Sequence, residues 1–427
     1  QWFNEGAAVR VSLACFGVAT QTPFYNGVEV TEITADLKPS DEANGVGNLT
    51  RVQQLKENVN SSYFGLCLAG PFKVSSQTAE QWLREPNPHS KPNSDVLRPI
   101  YNGSDLTRRW SGDWTIDFGA RMGEEEAALY EAPFTFAKTH VHPTRVENKR
   151  ASRAKQWWRH GEARPGLRSK LLQLSRYIAT VETAKHRFFV FLPVAIAPEH
   201  SLIVIPRSDD VTFGLLESRF HTAWTMRLGS PYGNHPTARR YNASRTFETF
   251  PFPAGLTPAD TAHQRTEALE GGALIPADLP DTLLAENFKQ NQPPAPVHQA
   301  QAAIKTIAPR PAAIAIAQAA QRLNTLRQAW LNPPEWTDTV PEVVPLGLER
   351  SPYPDRTVPK PGFEKDLAKR TLTNLYNQRP AWLVTAHAQL DAAVAAAYGW
   401  ADYTADLPDD EILRRLLALN LERSGGG

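Results

Sequence analysis

The pattern of apolar residues changes near residue 253, and this change restricts the folds that the chain can adopt. From residue 45 to residue 253 the apolar residues form short runs separated by loops, as at residues 115–118, 188–192 and 202–205. Runs of this length between turn residues are typical of buried strands. Because a few helical stretches lie among them, we predict an α+β fold with a mixed sheet for this region.

Helical patterns dominate the last hundred residues. The run Pro293-Pro294-Ala295-Pro296 indicates a linker. Residues 312–330 are rich in Ala and Gln, and a second set recurs at spacings of three and four, namely Leu383, His387, Leu390, Val394 and Tyr398. A third helix is predicted over residues 411–421, because the preceding Asp409 and Asp410 place carboxylates at its N-terminal end.

Two strands are predicted at the start of the chain, over residues 3–33. Val9, Val11 and Leu13 alternate with smaller or polar neighbours, and Asn26-Gly27 is a strong hairpin signal. Because the chain begins at Gln1 and enters a strand pattern almost at once, we interpret it as a piece of a larger protein.

Composition limits the class of protein. The 427 residues are 41% hydrophobic and 21% charged, as in ordinary globular proteins. No run of about eighteen apolar residues and no signal-peptide pattern is present, so we expect a cytoplasmic protein without a membrane partner. Cys15 and Cys67, the two cysteines, lie in apolar surroundings and are expected to be reduced thiols rather than metal ligands.

Positive charge is concentrated in one segment although the formal net charge of the chain is only +1. Residues 138–187 contain thirteen Lys and Arg residues but only Glu147, Glu162 and Glu182 as acids. Such a local excess is typical of a nucleic-acid-binding surface, whereas a solvated basic helix is the alternative interpretation. The predicted phosphate contacts of this segment are Arg145, Lys149, Arg150, Arg153, Lys155, Arg159, Arg164 and Arg168.

Further DNA-binding candidates lie within and beyond the segment. Asn148 and a second basic cluster, Arg239, Arg240, Asn242 and Arg245, carry side chains that can read base edges or bind phosphates. Trp157-Trp158 lies at the centre of what we predict to be a basic helix. We expect one of these rings to stack on a base or sugar and the other to anchor the helix to its own domain.

Known catalytic motifs are scarce. No glycine-rich phosphate loop and no Gly-x-Ser-x-Gly elbow occurs in the sequence. Asn332-Pro333-Pro334-Glu335 is similar to the motif that holds the amine of a flipped base, but Glu335 offers no stacking face. We interpret this motif as the end of a helix.

Two alternative functions follow from other residues. Asp117 with Glu147 and Lys149 forms the pattern of a Mg²⁺-dependent nuclease, in which carboxylates hold the metal and the lysine stabilises phosphate charge. His140 and His142, on one side of a predicted strand, are expected to lie beside DNA rather than bind a metal, because a third ligand is lacking. The second alternative is a scaffold whose basic face binds RNA or an acidic protein.

Blocks along nearly the whole chain carry a family resemblance, and their order is more informative than any single block. The first is Trp2-Phe3-Asn4-Glu5-Gly6 with the strand that follows, and the later ones are residues 64–72, 114–119, 153–159, 213–224, 249–253 and 371–423. In this order they resemble the late catalytic-domain strand, and the region after it, of single-chain adenine-specific DNA methyltransferases of the type IIG and type IIL restriction-modification kind.

The resemblance implies a target-recognition part of such an enzyme. Residues 1–44 would be the last strands of a methyltransferase catalytic domain, 45–255 a DNA target-recognition domain, 256–300 a Pro/Ala-rich linker and 301–427 a helical C-terminal region. Double-stranded DNA is the implied partner, together with an N-terminal methyltransferase domain. S-adenosylmethionine is the implied cofactor of the full-length enzyme, because the family's cofactor and catalytic motifs lie before the point where this chain starts.

Overall fold

The structure is a computed structural model that describes residues 2–4, 7–9, 24–25, 27–30, 49–232, 235–282 and 308–425. Its helices are α1 (Ser76–Arg84), α2 (Gly103–Thr107), α3 (Glu124–Ala128), α4 (Glu131–His140), α5 (His142–Arg145), α6 (Ala151–Lys155), α7 (Pro165–Leu171), α8 (Asp210–Glu217), α9 (Arg219–Leu228), α10 (Pro309–Leu331), α11 (Glu364–Leu367), α12 (Leu372–Gln378), α13 (Ala381–Ala397) and α14 (Asp409–Gly425).

The strands are short and distributed over several sheets. They are β1 (Trp2–Asn4), β2 (Ala7–Val9), β3 (Phe24–Tyr25), β4 (Val28–Glu29), β5 (Tyr63–Phe64), β6 (Lys73–Ser75), β7 (Leu97–Tyr101), β8 (Asp113–Ile116), β9 (Arg176–Val181), β10 (Thr183–Ala184), β11 (Val190–Pro193), β12 (Ala197–Pro198), β13 (Leu202–Ile205), β14 (Ser230–Tyr232), β15 (His235–Arg240), β16 (Thr266–Ala268), β17 (Leu274–Pro276), β18 (Thr337–Val340) and β19 (Arg356–Pro359).

The larger hydrophobic core surrounds a four-stranded antiparallel sheet with the order β11-β9-β13-β5. Strand β13 is buried along its whole length, as expected for a continuous apolar run covered on both faces. Helices α8, α9, α10, α13 and α14 contribute apolar residues to this core. Gly214 of α8 permits a close approach, since a Cβ atom there would lie 2.8 Å from Ile316 of α10 and 3.1 Å from Leu390 of α13.

A smaller core surrounds the second four-stranded sheet, with the order β12-β7-β8-β6. Strand β7 pairs antiparallel with β8 and parallel with β12. Trp114 of β8 is fully buried and meets the Tyr353 ring edge-on at 4.7 Å, so a residue near the C-terminal end of the chain completes this core.

The observed elements confirm most of the predicted ones. Strand β13 coincides with its apolar run, β8 shares only residues 115 and 116 with its run, and β11 begins two residues later than predicted. Helix α10 ends at Leu331 with Asn332 as its C-cap, so the Asn-Pro-Pro-Glu motif is the end of a helix as predicted. Strands β3 and β4 pair around Gly27, whose φ of 83° suits the predicted hairpin turn. Asn26 and Cys15 lie outside the described residues.

The predicted segment boundaries do not coincide with the hydrophobic cores. The larger core contains residues of the predicted recognition domain together with residues of the predicted helical region, such as Leu323 and Leu390. Strands β16 and β17 form a hairpin inside the predicted linker, and Ile275 of β17 is fully buried in the same core. The linker prediction therefore does not hold for residues 256–282, and residues 283–307 lie outside the described part.

Among the residues that the structure describes, no helix combines the length and the apolar character needed to cross a bilayer.

Candidate nucleic-acid interface

The basic segment is not the single helix that we predicted around Trp157. It contains the short helices α5, α6 and α7, and the two tryptophans lie in the turn after α6. The predicted strand at His140 and His142 is also wrong, because His140 is the last residue of α4 and His142 the first of α5. The charges of this segment are therefore distributed over turns and short helices that face different neighbours.

Arg145 and Arg159 are used inside the protein. The side chain of Arg145 is only 1% exposed and donates hydrogen bonds to the carbonyl oxygens of Leu68, Ala69 and Arg159. Burial lowers the pKa of Arg145 to about 10. Arg159 donates to the carbonyl oxygens of Arg121 and Met122. Because Arg145 is buried and these carbonyls accept from its guanidinium group, its predicted role as a phosphate contact is corrected to a structural one. The half-buried Arg159 stays a predicted contact.

Both tryptophans are buried, which corrects the prediction that one of them stacks on a base. The ring of Trp157 is 6% exposed, and its Nε1 donates to Oε1 of Glu124 at 3.1 Å. Trp158 donates from Nε1 to the carbonyl oxygen of Met122 at 3.0 Å. Neither indole face is free for a base, so the pair anchors the turn to the smaller core.

Asp117 is the centre of a buried ion-pair cluster rather than a metal ligand. Arg168 donates to both of its carboxylate oxygens, at 2.7 and 2.9 Å, and Nη1 of Arg98 lies 3.5 Å away. Burial would raise the pKa of Asp117, but His160, Arg168 and Arg98 together hold it well below its ordinary value. Arg168 is therefore also structural.

Asp117 is therefore not available as the first metal-binding carboxylate of the predicted nuclease pattern. Glu147 and Lys149 are exposed in the turn after α5, whereas Asp117 is buried among arginines. Throughout the described ranges no group of three or more potential ligands could hold a metal ion.

Glu162 offsets three further cations of the segment. Its carboxylate lies 2.6 Å from Arg164, 3.8 Å from Arg153 and 4.0 Å from Arg150. Arg164 also donates to the carbonyl oxygen of Gly65, whereas the side chain of Arg150 is 67% exposed. Exposed ion pairs at about 4 Å are weak, so Arg150 can exchange its partner at little cost.

Three predicted cations face solvent at adjacent positions. We call Lys149, Arg150 and Lys155 the basic turn: the first two precede helix α6, Lys155 is its last residue, and all three are exposed. Lys149 and Lys155 form no ion pair within the part of the chain that the structure describes. Asn148 is half-buried, and its Oδ1 accepts the backbone N–H of Arg150.

The second basic cluster is divided between a strand and a helical turn. Arg239 and Arg240 lie in β15, and Nε of Arg240 is 3.3 Å from Glu182. Asn242 caps the following turn by accepting the backbone N–H of Ser244, and Arg245 is exposed. Arg239 and Arg245 therefore remain available candidates, whereas Asn242 has a structural task.

One basic groove was not predicted from the sequence. It has a volume of about 540 Å³ and brings Arg108 together with Lys185 and His186, which are 77 or more positions further along the chain. The high Lys and Arg content of residues 138–187 includes Lys185, but Arg108 lies outside that segment. The packing of α2 against β9 and α12 brings the two parts together.

Comparisons with known proteins give a fold relationship. No protein-family model and no curated protein matches the chain. A solved structure of the type IIL restriction-modification enzyme MmeI in complex with DNA matches with a TM-score of 0.54 and 15% sequence identity. The match covers 93% of this chain but only 39% of the MmeI chain. The chain is thus similar in fold to a part of MmeI, and the predicted α+β class is confirmed.

Proposed function

We propose that this chain is the DNA-binding part of a restriction-modification enzyme, in which it recognises the target sequence on double-stranded DNA. Two independent observations support the proposal: the fold likeness to part of MmeI, whose structure was solved with DNA, and the exposed basic turn. The family resemblance refines the proposal to a site-specific adenine-N6 methyltransferase. The catalytic domain and its S-adenosylmethionine site would then lie outside this chain.

The basic turn is the observation that carries the DNA-binding proposal. Lys149 and Lys155 are free of ion pairs within the described ranges, and only a 4.0 Å contact with Glu162 offsets Arg150. Cations of this kind bind backbone phosphates and release counterions, which makes affinity for DNA depend on salt but not on sequence. Side chains such as Arg239 and Arg245, which can bind base edges, would recognise the DNA sequence.

Neutralising the basic turn tests the proposal. We expect the variant Lys149→Gln/Arg150→Gln/Lys155→Gln to bind all duplex sequences about 100-fold more weakly at roughly 0.1 M salt. Its slope of log affinity against log salt concentration should fall by about 2 to 3, because each lost phosphate contact removes roughly 0.9. Fluorescence anisotropy of a labelled duplex, measured over a salt series, gives both quantities.

The matched control removes the same charges elsewhere. Lys56, Arg322 and Lys365 are exposed, and their replacement by Gln leaves the basic turn intact. An unchanged salt slope in the basic-turn variant, or an equal loss in the control, would show that the turn does not contact DNA. Competition with RNA and with heparin separates DNA binding from the alternative of a general polyanion-binding scaffold.

A further inference from the structure

A groove separate from the basic turn has the chemistry of a phosphate-binding surface. It lies where the end of α2, strand β10 and the start of α12 meet. Three of its lining residues carry basic side chains, Arg108, Lys185 and His186. Thr183, Thr371 and Thr373 line it as well, and none of the described residues that line it carries a carboxylate.

A neighbouring cleft differs from the groove in the charged residues that line it. That cleft has a similar volume of about 520 Å³ and also borders on Arg108. Its lining includes four arginines, Arg108, Arg109, Arg356 and Arg370, but also the carboxylates of Asp105, Glu342 and Asp355. An anion would therefore gain less on entering the cleft than on entering the groove, because nearby carboxylates repel it.

Two basic side chains of the groove converge on one oxygen atom. Nζ of Lys185 and Nε2 of His186 each lie 2.8 Å from Oδ1 of Asn377. This neutral amide oxygen is exposed with its partners at the edge of the groove. A phosphate oxygen placed there would accept the same two hydrogen bonds with full charge assistance, which makes each about twice as strong as a neutral one. Arg108 forms no ion pair within the described ranges, so it can add a second cation.

The groove continues into the second basic cluster. Ala184, which lines it, is the cross-strand partner of Arg239 in β15. Directly opposite residues in an antiparallel pair project from the same face of the sheet, so Arg239 lies on the same face as Ala184. Several basic side chains and hydroxyls on one surface match the repeated phosphates of a nucleic-acid backbone better than a single small anion does.

From these contacts we propose that the groove lined by Arg108, Lys185 and His186 binds backbone phosphates of duplex DNA, as a second anchor beside the basic turn. The inference rests on the proposed DNA-binding function and names a second place where the chain would contact DNA. Two anchors on different elements would fix the orientation of the duplex, which one basic turn alone cannot do.

Replacement of the three basic residues tests the second anchor. We expect Arg108→Gln/Lys185→Gln/His186→Gln to weaken duplex binding about 10- to 100-fold at roughly 0.1 M salt and to lower the salt slope by about 2. The matched control Arg322→Gln/Lys365→Gln/His89→Gln, in which all three residues are exposed, should leave both values unchanged. Combined with the basic-turn variant, the groove variant should lower the slope further, since the two sets of contacts are distinct.

A measurement on the unaltered chain removes any dependence on the folding of the variants. Acetylation of lysines, read by mass spectrometry, should slow at Lys185 when duplex DNA is bound, while the exposed Lys56 and Lys365 react as before. If the chain binds DNA in a salt-dependent manner but Lys185 keeps its reactivity and the groove variant binds normally, the groove is not an anchor and the proposed function stands. If the unaltered chain does not bind duplex DNA, both proposals are wrong.

Discussion

Replacing Arg327 by methionine is expected to destabilise the larger core by about 3–5 kcal/mol. Arg327 of α10 and Glu217 of α8 form an ion pair in which both side chains are at most 1% exposed. Arg327 also donates to the carbonyl oxygen of Phe189, and the backbone N–H of Phe189 donates to Glu217. Burial would lower the pKa of Arg327, but the Glu217 carboxylate raises it above its ordinary value, so Arg327 stays charged.

The large effect comes from the partner that remains. Methionine fills a similar volume, but it leaves the Glu217 carboxylate buried without its cation. Urea unfolding followed by tryptophan fluorescence measures the loss, and Arg322→Met, five residues earlier on the same helix and exposed, should change stability by less than about 0.5 kcal/mol. Removing both charges in Arg327→Met/Glu217→Leu should restore much of the stability. A single variant as stable as the control would contradict a structural role of the pair.

Asp117→Asn is the second change with a large expected effect. We expect it to lower the free energy of unfolding by about 3–5 kcal/mol at pH 7. Asp117 follows β8 of the smaller core. Its partner Arg168, whose Nη2 donates to both carboxylate oxygens, belongs to α7. Leu167 and Leu171 of α7 lie in the larger core. Arg98 of β7 adds to the cluster and donates to the carbonyl oxygen of Val194. Loss of the carboxylate leaves two buried or half-buried guanidinium groups without their anion, so the contact between the cores weakens.

The pH dependence of this variant follows from the lowered pKa of Asp117. A carboxyl group whose pKa is lower in the folded state than in the unfolded state stabilises the fold fully above the unfolded value, near 4. This contribution is lost as the pH falls below that value towards the folded-state pKa. Between pH 6 and pH 3 the unaltered chain should therefore lose more stability than Asp117→Asn.

Urea midpoints over this pH range, read by circular dichroism, test the pH prediction. Asp113→Asn, at the start of the strand that precedes Asp117, is a matched control, because its pair with Lys73 is about one third exposed and contributes at most about 1 kcal/mol. Equal pH dependence in the unaltered chain and Asp117→Asn would contradict the assignment of the cluster. The same variant bears on the nuclease alternative, since a structural Asp117 predicts reduced stability rather than a specific loss of DNA cleavage.

Arginines that bond within the protein hold the basic segment in place beside its exposed cations. Arg145, Arg159 and Arg168 hold the turns of residues 142–171 against the sheets, and Trp157 and Trp158 fix the same region from its apolar side. The exposed cations of the basic turn are thereby held on a rigid support. A rigid support reduces the conformational entropy lost on binding, which favours a defined orientation of DNA.

Much of the local structure could be predicted from the sequence. Apolar runs indicated β8, β11 and β13, Ala and Gln content indicated α10, helical spacing indicated α13, and the Asp409-Asp410 pair indicated α14. These patterns depend on neighbouring residues alone. The prediction of one basic helix around Trp157 was wrong, because the number of charged residues in a segment does not indicate where the chain turns. The predicted linker failed over residues 256–282 for a related reason: Pro and Ala are frequent there, yet Ile275 is buried by helices from elsewhere in the chain.

The sequence by itself determined the α+β character and the concentration of cations in residues 138–187. Tertiary structure alone decided which cations remain available to a ligand. Arg145 donates to carbonyl oxygens as far as 77 residues away, and Arg168 is paired with a carboxylate 51 residues away. Arg108, Lys185 and His186, by contrast, come together in one groove. Whether a guanidinium is structural or exposed depends on the acceptors that folding places around it, and these long-range partners leave no local pattern in the sequence.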